Sequence, residues 1–265
     1  MTRWLAVAAA AILTAFLALP VVTLVGRALA SGELVRAIGS EAVVAALRLS
    51  LVSTAASLGL IVAFGTPLAF LLARRRFRGS GLVETVVDLP LVLPPSVAGL
   101  ALLLVFGRRG LVGESLDALG LAIPFTTVAV VLAQVFVAAP FYVRAARAGI
   151  AGVPRDLEDA ARADGASESG VVRHVIVPLA LPALAAGLVM SWARSLGEFG
   201  ATILFAGNFA GRTQTLPLVV YSELGSADLD AAIAAATVLV IAAVGVLAAV
   251  RLARRGRALD LASAG

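Results

Sequence analysis

Val153 to Pro178 reads VPRDLEDAARADGASESGVVRHVIVP. It is a charged island between two apolar stretches, each long enough to cross a bilayer. Pro154 suits the first turn of a helix, and Asp156, Glu158 and Asp159 follow where the positive end of a helix dipole favours acids. Arg162 lies one turn later, and Gly165 is placed to end the segment. A helix this short does not hold itself together in water. Leu157, Ala160 and Ala161 give it one small apolar face, so another surface is expected to cover that face.

The flanking composition sets the class. The chain has 265 residues, 61% hydrophobic and 14% charged, too little polar surface for a soluble domain of this length. An all-α integral membrane protein with six transmembrane helices is expected. Cysteine is absent, which excludes disulfides and thiolate metal sites, and the single His174 cannot build a metal cage alone. Lysine is absent too, so the net charge of +5 is carried by arginine. A phosphate-binding P-loop needs its lysine, so this chain contains none. Clustered arginine in such a chain reads as membrane topology rather than as a nucleic-acid surface.

Working outward, apolar runs are expected to cross at about Trp4–Val25, Leu49–Leu72, Val83–Phe106, Phe125–Val143, Val175–Leu196 and Ala231–Val250. Ala28-Leu29-Ala30 imitates a signal-peptidase site, but the apolar run before it exceeds the usual signal core of roughly 7–15 residues. An uncleaved first helix is expected. Ser50, Ser53, Thr54 and Ser57 line one side of the second span, which allows close helix approach in lipid. The third span carries Pro90, Pro94 and Pro95, followed by Ser96. Three missing amide donors must bend or break it, and broken backbone at membrane depth is tolerated only inside protein or beside a water-filled cavity. A surface helix is expected near Glu114–Leu119, whereas residues 201–230 are too polar for a clean crossing.

Fourteen arginines (Arg3, the cluster from Arg74 to Arg78, five from Arg144 to Arg173, and four from Arg251 to Arg257) fall on one side of this arrangement, and six on the other. The positive-inside rule then places both termini and the Val153–Pro178 segment in the cytoplasm. No repeat or linker divides the chain, so residues 1–265 are expected to form a single transmembrane domain, with the cytoplasmic loop at about 148–174.

The organising segment resembles the EAA signature of ABC-importer permeases, E-A-A-x3-G-x9-I-x-L-P. Here Asp159-Ala160-Ala161, Gly165 and Val175-x-Val177-Pro178 keep that spacing, with Asp in place of Glu and Val in place of Ile and Leu. Leu89-Pro90-Leu91-Val92-Leu93-Pro94-Pro95, Phe106-Gly107-Arg108-Arg109-Gly110, Ser195-Leu196-Gly197-Glu198-Phe199-Gly200 and Thr215-Leu216-Pro217-Leu218 resemble molybdate-type permeases. Sulfate permeases share the Gly-Glu-Phe-Gly block, which keeps a sulfate or thiosulfate permease as the alternative.

The resemblance implies a type I importer permease fold that takes up molybdate or tungstate by alternating access in the cell's inner membrane. It implies a homodimer served by two ATPase subunits, which bind the ATP and magnesium, and by an extracytoplasmic solute-binding protein. No catalytic residue and no cofactor of its own are implied. ATPase coupling would fall to Leu157, Glu158, Asp159, Ala160, Ala161, Gly165 and Ala166. Pathway or gate candidates are Pro90, Pro94, Pro95, Ser96, Arg194, Gly197, Glu198, Phe199 and Gly200. Arg194 and Glu198 stand at i and i+4, so one helix face brings them together. They are read as a mutually neutralising pair at an outer gate, whose charge swap should partly rescue the damage of the single changes. An ion-coupled carrier is the more distant alternative, but it would bury more ionisable groups at mid-bilayer than these spans contain.

Overall fold

The computed structural model describes residues 3–75 and 77–263, with 249–263 described in backbone alone. Arg76 and the side chains of Arg251, Arg254, Arg255 and Arg257, all used in the topology argument, lie outside the described residues. Every regular element among the described residues is helical. In chain order these are α1 (Arg3–Ser31), α2 (Glu33–Gly39), α3 (Glu41–Arg74), α4 (Ser80–Val92), α5 (Pro95–Phe106), α6 (Gly113–Ala118) and α7 (Thr127–Ala151). They continue as α8 (Arg155–Ala163), α9 (Glu168–Val171), α10 (Val177–Leu196), α11 (Gly200–Phe205), α12 (Leu216–Gly225) and α13 (Leu229–Ser263). A π-helical turn, Val172–Ile176, joins α9 to α10, so helix runs unbroken from Glu168 to Leu196.

Five helical segments are long and apolar enough to cross a membrane: α1, α3, α7, Glu168–Leu196 and the Leu229–Ala248 part of α13. The remaining expected span is two helices. Pro90 is tolerated inside α4, but Leu93 and Pro94 are both extended, with ψ of 131° and 138°. Each precedes a proline, whose ring disfavours helical backbone in the residue before it. Pro95 then opens α5 at its first turn, where its missing N–H costs nothing.

Two compact units divide the chain. The smaller comprises residues up to Leu49 and those from Gln214 onward. Its core joins Ala28, Leu34 and Val43 to Leu216 and Val219 of α12 and Ala234, Ala235 and Val238 of α13. Within α1 only Ala28 is buried; the rest presents apolar side chains such as Trp4, Ile12 and Phe16 outward, as lipid-facing helix does.

The larger unit, Ser50–Thr213, is built on α7 packed against α10. Small residues bring the two helices close: a Cβ added at Gly187 would stand 2.8 Å from Ala145 Cβ. Ser191 Oγ donates to Ala138 O across the same contact at 2.8 Å. The serine face of α3 is buried here. Gln134 of α7 donates through Nε2 to Ser53 Oγ (3.1 Å) and Ser195 O (3.2 Å), and Ser57 Oγ donates to Ser195 Oγ at 3.3 Å. One amide thus ties α3, α7 and α10 together. The pairing satisfies the amide's Nε2, as an apolar bundle requires of a buried donor, while its Oε1 is buried without a hydrogen-bond partner.

Candidate functional site

Two places in the larger unit gather the residues that the sequence singles out. The first is α8 and its surroundings. The expected loop at 148–174 is mostly helix, with irregular backbone only at Gly152–Pro154 and Asp164–Ser167. After α8, Gly165 N donates to Arg162 O (3.0 Å) and Ala166 N to Ala161 O (2.9 Å). These two bonds close a Schellman motif, with Gly165 as its left-handed residue at φ +89°. A Cβ at Gly165 would meet nothing within 4 Å, so within this chain the glycine serves backbone conformation rather than close packing.

The expected single apolar face of α8 is divided. Ala161 and Ala166 lie half-buried against the core, whereas Leu157 (47% exposed) and Ala160 point outward. The buried side chain of α8 is charged instead. Glu158 is 6% exposed, and its Oε1 lies 2.5 Å from Arg74 Nη2 without hydrogen-bond alignment. The same Arg74 Nη2 donates to Val153 O at 3.2 Å. On the outer side, Arg162 gathers three acids: Asp159 Oδ1 at 2.8 Å, Glu158 Oε2 at 3.4 Å and Glu168 Oε1 at 2.7 Å. Hydrogen bonding to Glu168 holds the Arg162 guanidinium above its ordinary range, so it stays cationic. Asp159, at the Glu position of the signature, is mostly exposed. A cavity of about 290 Å³ opens beside α8 between Phe70, Arg75, Arg155, Val172 and Ile176.

The second place is where α10 ends. Arg194 Nη1 lies 2.6 Å from Glu198 Oε2, and Glu198 is only 1% exposed. Glu198 has a second task that spacing does not reveal: its Oε1 accepts from Ala201 N at 2.7 Å, capping the first turn of α11. Gly200 is held against the proline break, since a Cβ there would stand 2.6 Å from Pro95 Cβ. A Cβ at Gly99 would likewise stand 2.7 Å from Ala201 O. The structure therefore brings Pro95, Arg194, Glu198 and Gly200 together. Pro94, Pro95 and Ser96 are exposed, Pro90 and Phe199 half-buried. Gly197 makes no close approach; a Cβ there would meet only Ala193 O at 3.6 Å.

Two polar residues belong to no motif and are singled out by the structure alone. Gln134 could have been suspected as a lone amide in an apolar run. Glu84 pairs with Arg147 (2.9 Å) beside Asp88 with Arg144 (3.8 Å), fixing α4 to α7. Its signal is the match of two acids at i,i+4 with two arginines at i,i+3.

Residues 65–257 match the family of binding-protein-dependent transport system inner membrane components. The molybdenum transport system permease protein ModB of Mycobacterium tuberculosis (strain ATCC 25618 / H37Rv) is 46% identical over 198 residues, 75% of each chain. The ModB of Escherichia coli (strain K12) is 46% identical over 160 residues, 60% of this chain and 70% of its own. A probable molybdenum ABC transporter permease of Haloferax volcanii is 40% identical over 247 residues, 92% of this chain and 88% of its own. Among solved structures, a bacterial ABC transporter involved in alginate import aligns over 95% of both chains, with a TM-score of 0.72 at 21% identity. The MetNI methionine transporter aligns over 83% of this chain and 98% of its own, with a TM-score of 0.60 at 22% identity. With the family match covering most of the chain and the helical arrangement shared with importer permeases, the chain belongs to the binding-protein-dependent transport system inner membrane components and has the type I ABC importer permease fold.

Proposed function

We propose that the chain is the membrane-spanning permease subunit of an ATP-driven importer of molybdate, with tungstate as the close chemical analogue. The carrying observation is identity of 40–46% to curated molybdenum permeases, over as much as 92% of the chain. Residues 1–265 act as one multi-pass permease domain in the cell membrane. The arginine distribution supports cytoplasmic termini and a cytoplasmic α8. ATP and magnesium belong to two partner ATPase subunits, since a chain without lysine has no P-loop.

Leu157 and Ala160, apolar and outward, with the exposed Asp159, are the part of α8 offered to an ATPase groove. Glu158, Ala161, Gly165 and Ala166 hold that surface in place. A solute-binding protein delivers the anion to the outer side, and two permease copies form the pathway. Arg194 and Glu198 neutralise one another beside Pro95, which suits an outer gate better than a ligand site. A bare carboxylate would repel the anion, and a free guanidinium would hold it.

The test is a deletion strain. Molybdoenzyme activity should fall at low external molybdate and return with excess. A sulfur auxotroph would transfer the assignment to sulfate, the reading kept open by the shared Gly197-Glu198-Phe199-Gly200 block.

A further inference from the structure

The contact between α8 and its own scaffold is carried largely by charge. Apart from Ala161, and Ala166 just beyond its end, α8 is not seated on apolar packing: the 290 Å³ cavity lies between it and Phe70, Val172 and Ile176. Charged side chains cross that gap. Arg74 is the last residue of α3, and both its side chain (10% exposed) and that of Glu158 (8%) are withdrawn from water. Arg74 also holds Val153 O, the backbone just ahead of α8. On the other side, Arg162 links Glu158 and Glu168, where the Glu168–Leu196 rod begins.

We propose that Arg74 and Glu158 are positioning residues, a buried strut through which displacement of α8 is passed to α3. The proposal rests on the reading of α8 as the ATPase-docking helix. The Arg162 contacts are half-exposed and screened, so they contribute less. Loss of Glu158 would leave the buried Arg74 guanidinium without a counter-charge, and loss of Arg74 would leave Glu158 only the half-exposed Arg162, so under load α8 and the end of α3 move as one body.

The test uses the whole transporter, with ATPase subunits and binding protein, in liposomes, and reads molybdate imported per ATP hydrolysed. Arg74→Gln and Glu158→Gln should each lower that ratio about tenfold while the ATPase subunits still co-purify. Arg74→Glu combined with Glu158→Arg should restore most of it. Because the chain has no cysteine, Arg74→Cys with Glu158→Cys can be joined by a short thiol-reactive bridge. Closing the bridge should raise the ratio, a gain that a misfolded chain cannot give. Unchanged ratios in the single variants overturn the strut. So does a bridge that stops transport, because α8 then slides against α3, and so does loss of ATPase association in Glu158→Gln, because Glu158 is then a docking contact. Leu157→Arg reports separately on docking: if it leaves association intact, the reading of α8 itself fails, whatever the strut does.

Discussion

Gly165 has open space around its Cα and a φ of +89°, so what the position demands is a left-handed backbone. Gly165→Ala should destabilise the protein by about 1–2 kcal/mol, the cost of that conformation for an L side chain. Gly165→Asn should cost less, because Asn tolerates the region. Thermal unfolding in detergent, comparing the two variants, checks this. Glu198 calls for a different comparison. The expectation that a charge swap with Arg194 would partly restore function considers only the ion pair. Glu198 also accepts from Ala201 N, and an arginine at that position has no acceptor to offer. Glu198→Gln keeps an oxygen for the cap and loses the pair, whereas the swap keeps the pair and loses the cap. The swap should therefore be the less stable by about 1 kcal/mol, the usual worth of a helix cap. A swap at least as stable as Glu198→Gln would show that the cap is dispensable.

At the scale of elements, α8 and the α5–α11 contact obey different physics. A free helix of nine residues is unstable, so α8 depends on its Schellman end and on Glu158 and Ala161 facing inward. Its outward residues can change without unfolding the unit. Leu157→Arg should leave detergent stability within about 0.5 kcal/mol of the parent, as surface changes do. On the proposed reading it should also abolish co-purification of the ATPase subunits. The α5–α11 contact has no such tolerance. Pro95 and Gly200 meet at atomic contact, so Gly200→Val should cost about 1–3 kcal/mol through overpacking. A lowered unfolding temperature together with impaired molybdate uptake is the expected result; an unchanged temperature would mean that the proline break yields freely.

For the whole molecule, the prediction concerns topology. Five long apolar helices and the α4–α5 pair give the six crossings of the proposed arrangement, with α1 presenting almost its entire surface outward. The arginine distribution then puts the chain after Phe106 outside and the C-terminus inside. Reporter fusions at those two points should be active on opposite sides of the membrane; an extracellular C-terminus would reverse the assignment of α8 to the cytoplasm.

Composition and residue order were enough for the class, the approximate positions of the apolar spans, the break at Pro94-Pro95 and the stop at Gly165. Each of these follows from local chemistry: run length against bilayer thickness, a missing amide donor, a missing Cβ. Spacing also put Arg194 and Glu198 within reach of each other, but not on one helix face as expected: α10 ends at Leu196, and Glu198 pairs from the turn beyond it. Tertiary structure alone decided which face of α8 is covered. Periodicity ranks Leu157, Ala160 and Ala161 together, but the partner surface offers Arg74 and a cavity, and so it selects Glu158. It also decided what Gln134 and Glu84 do, since their partners lie on helices distant in sequence. Burying a charge or an amide is favourable only against a specific opposite group, and a one-dimensional pattern carries no record of which group will be opposite.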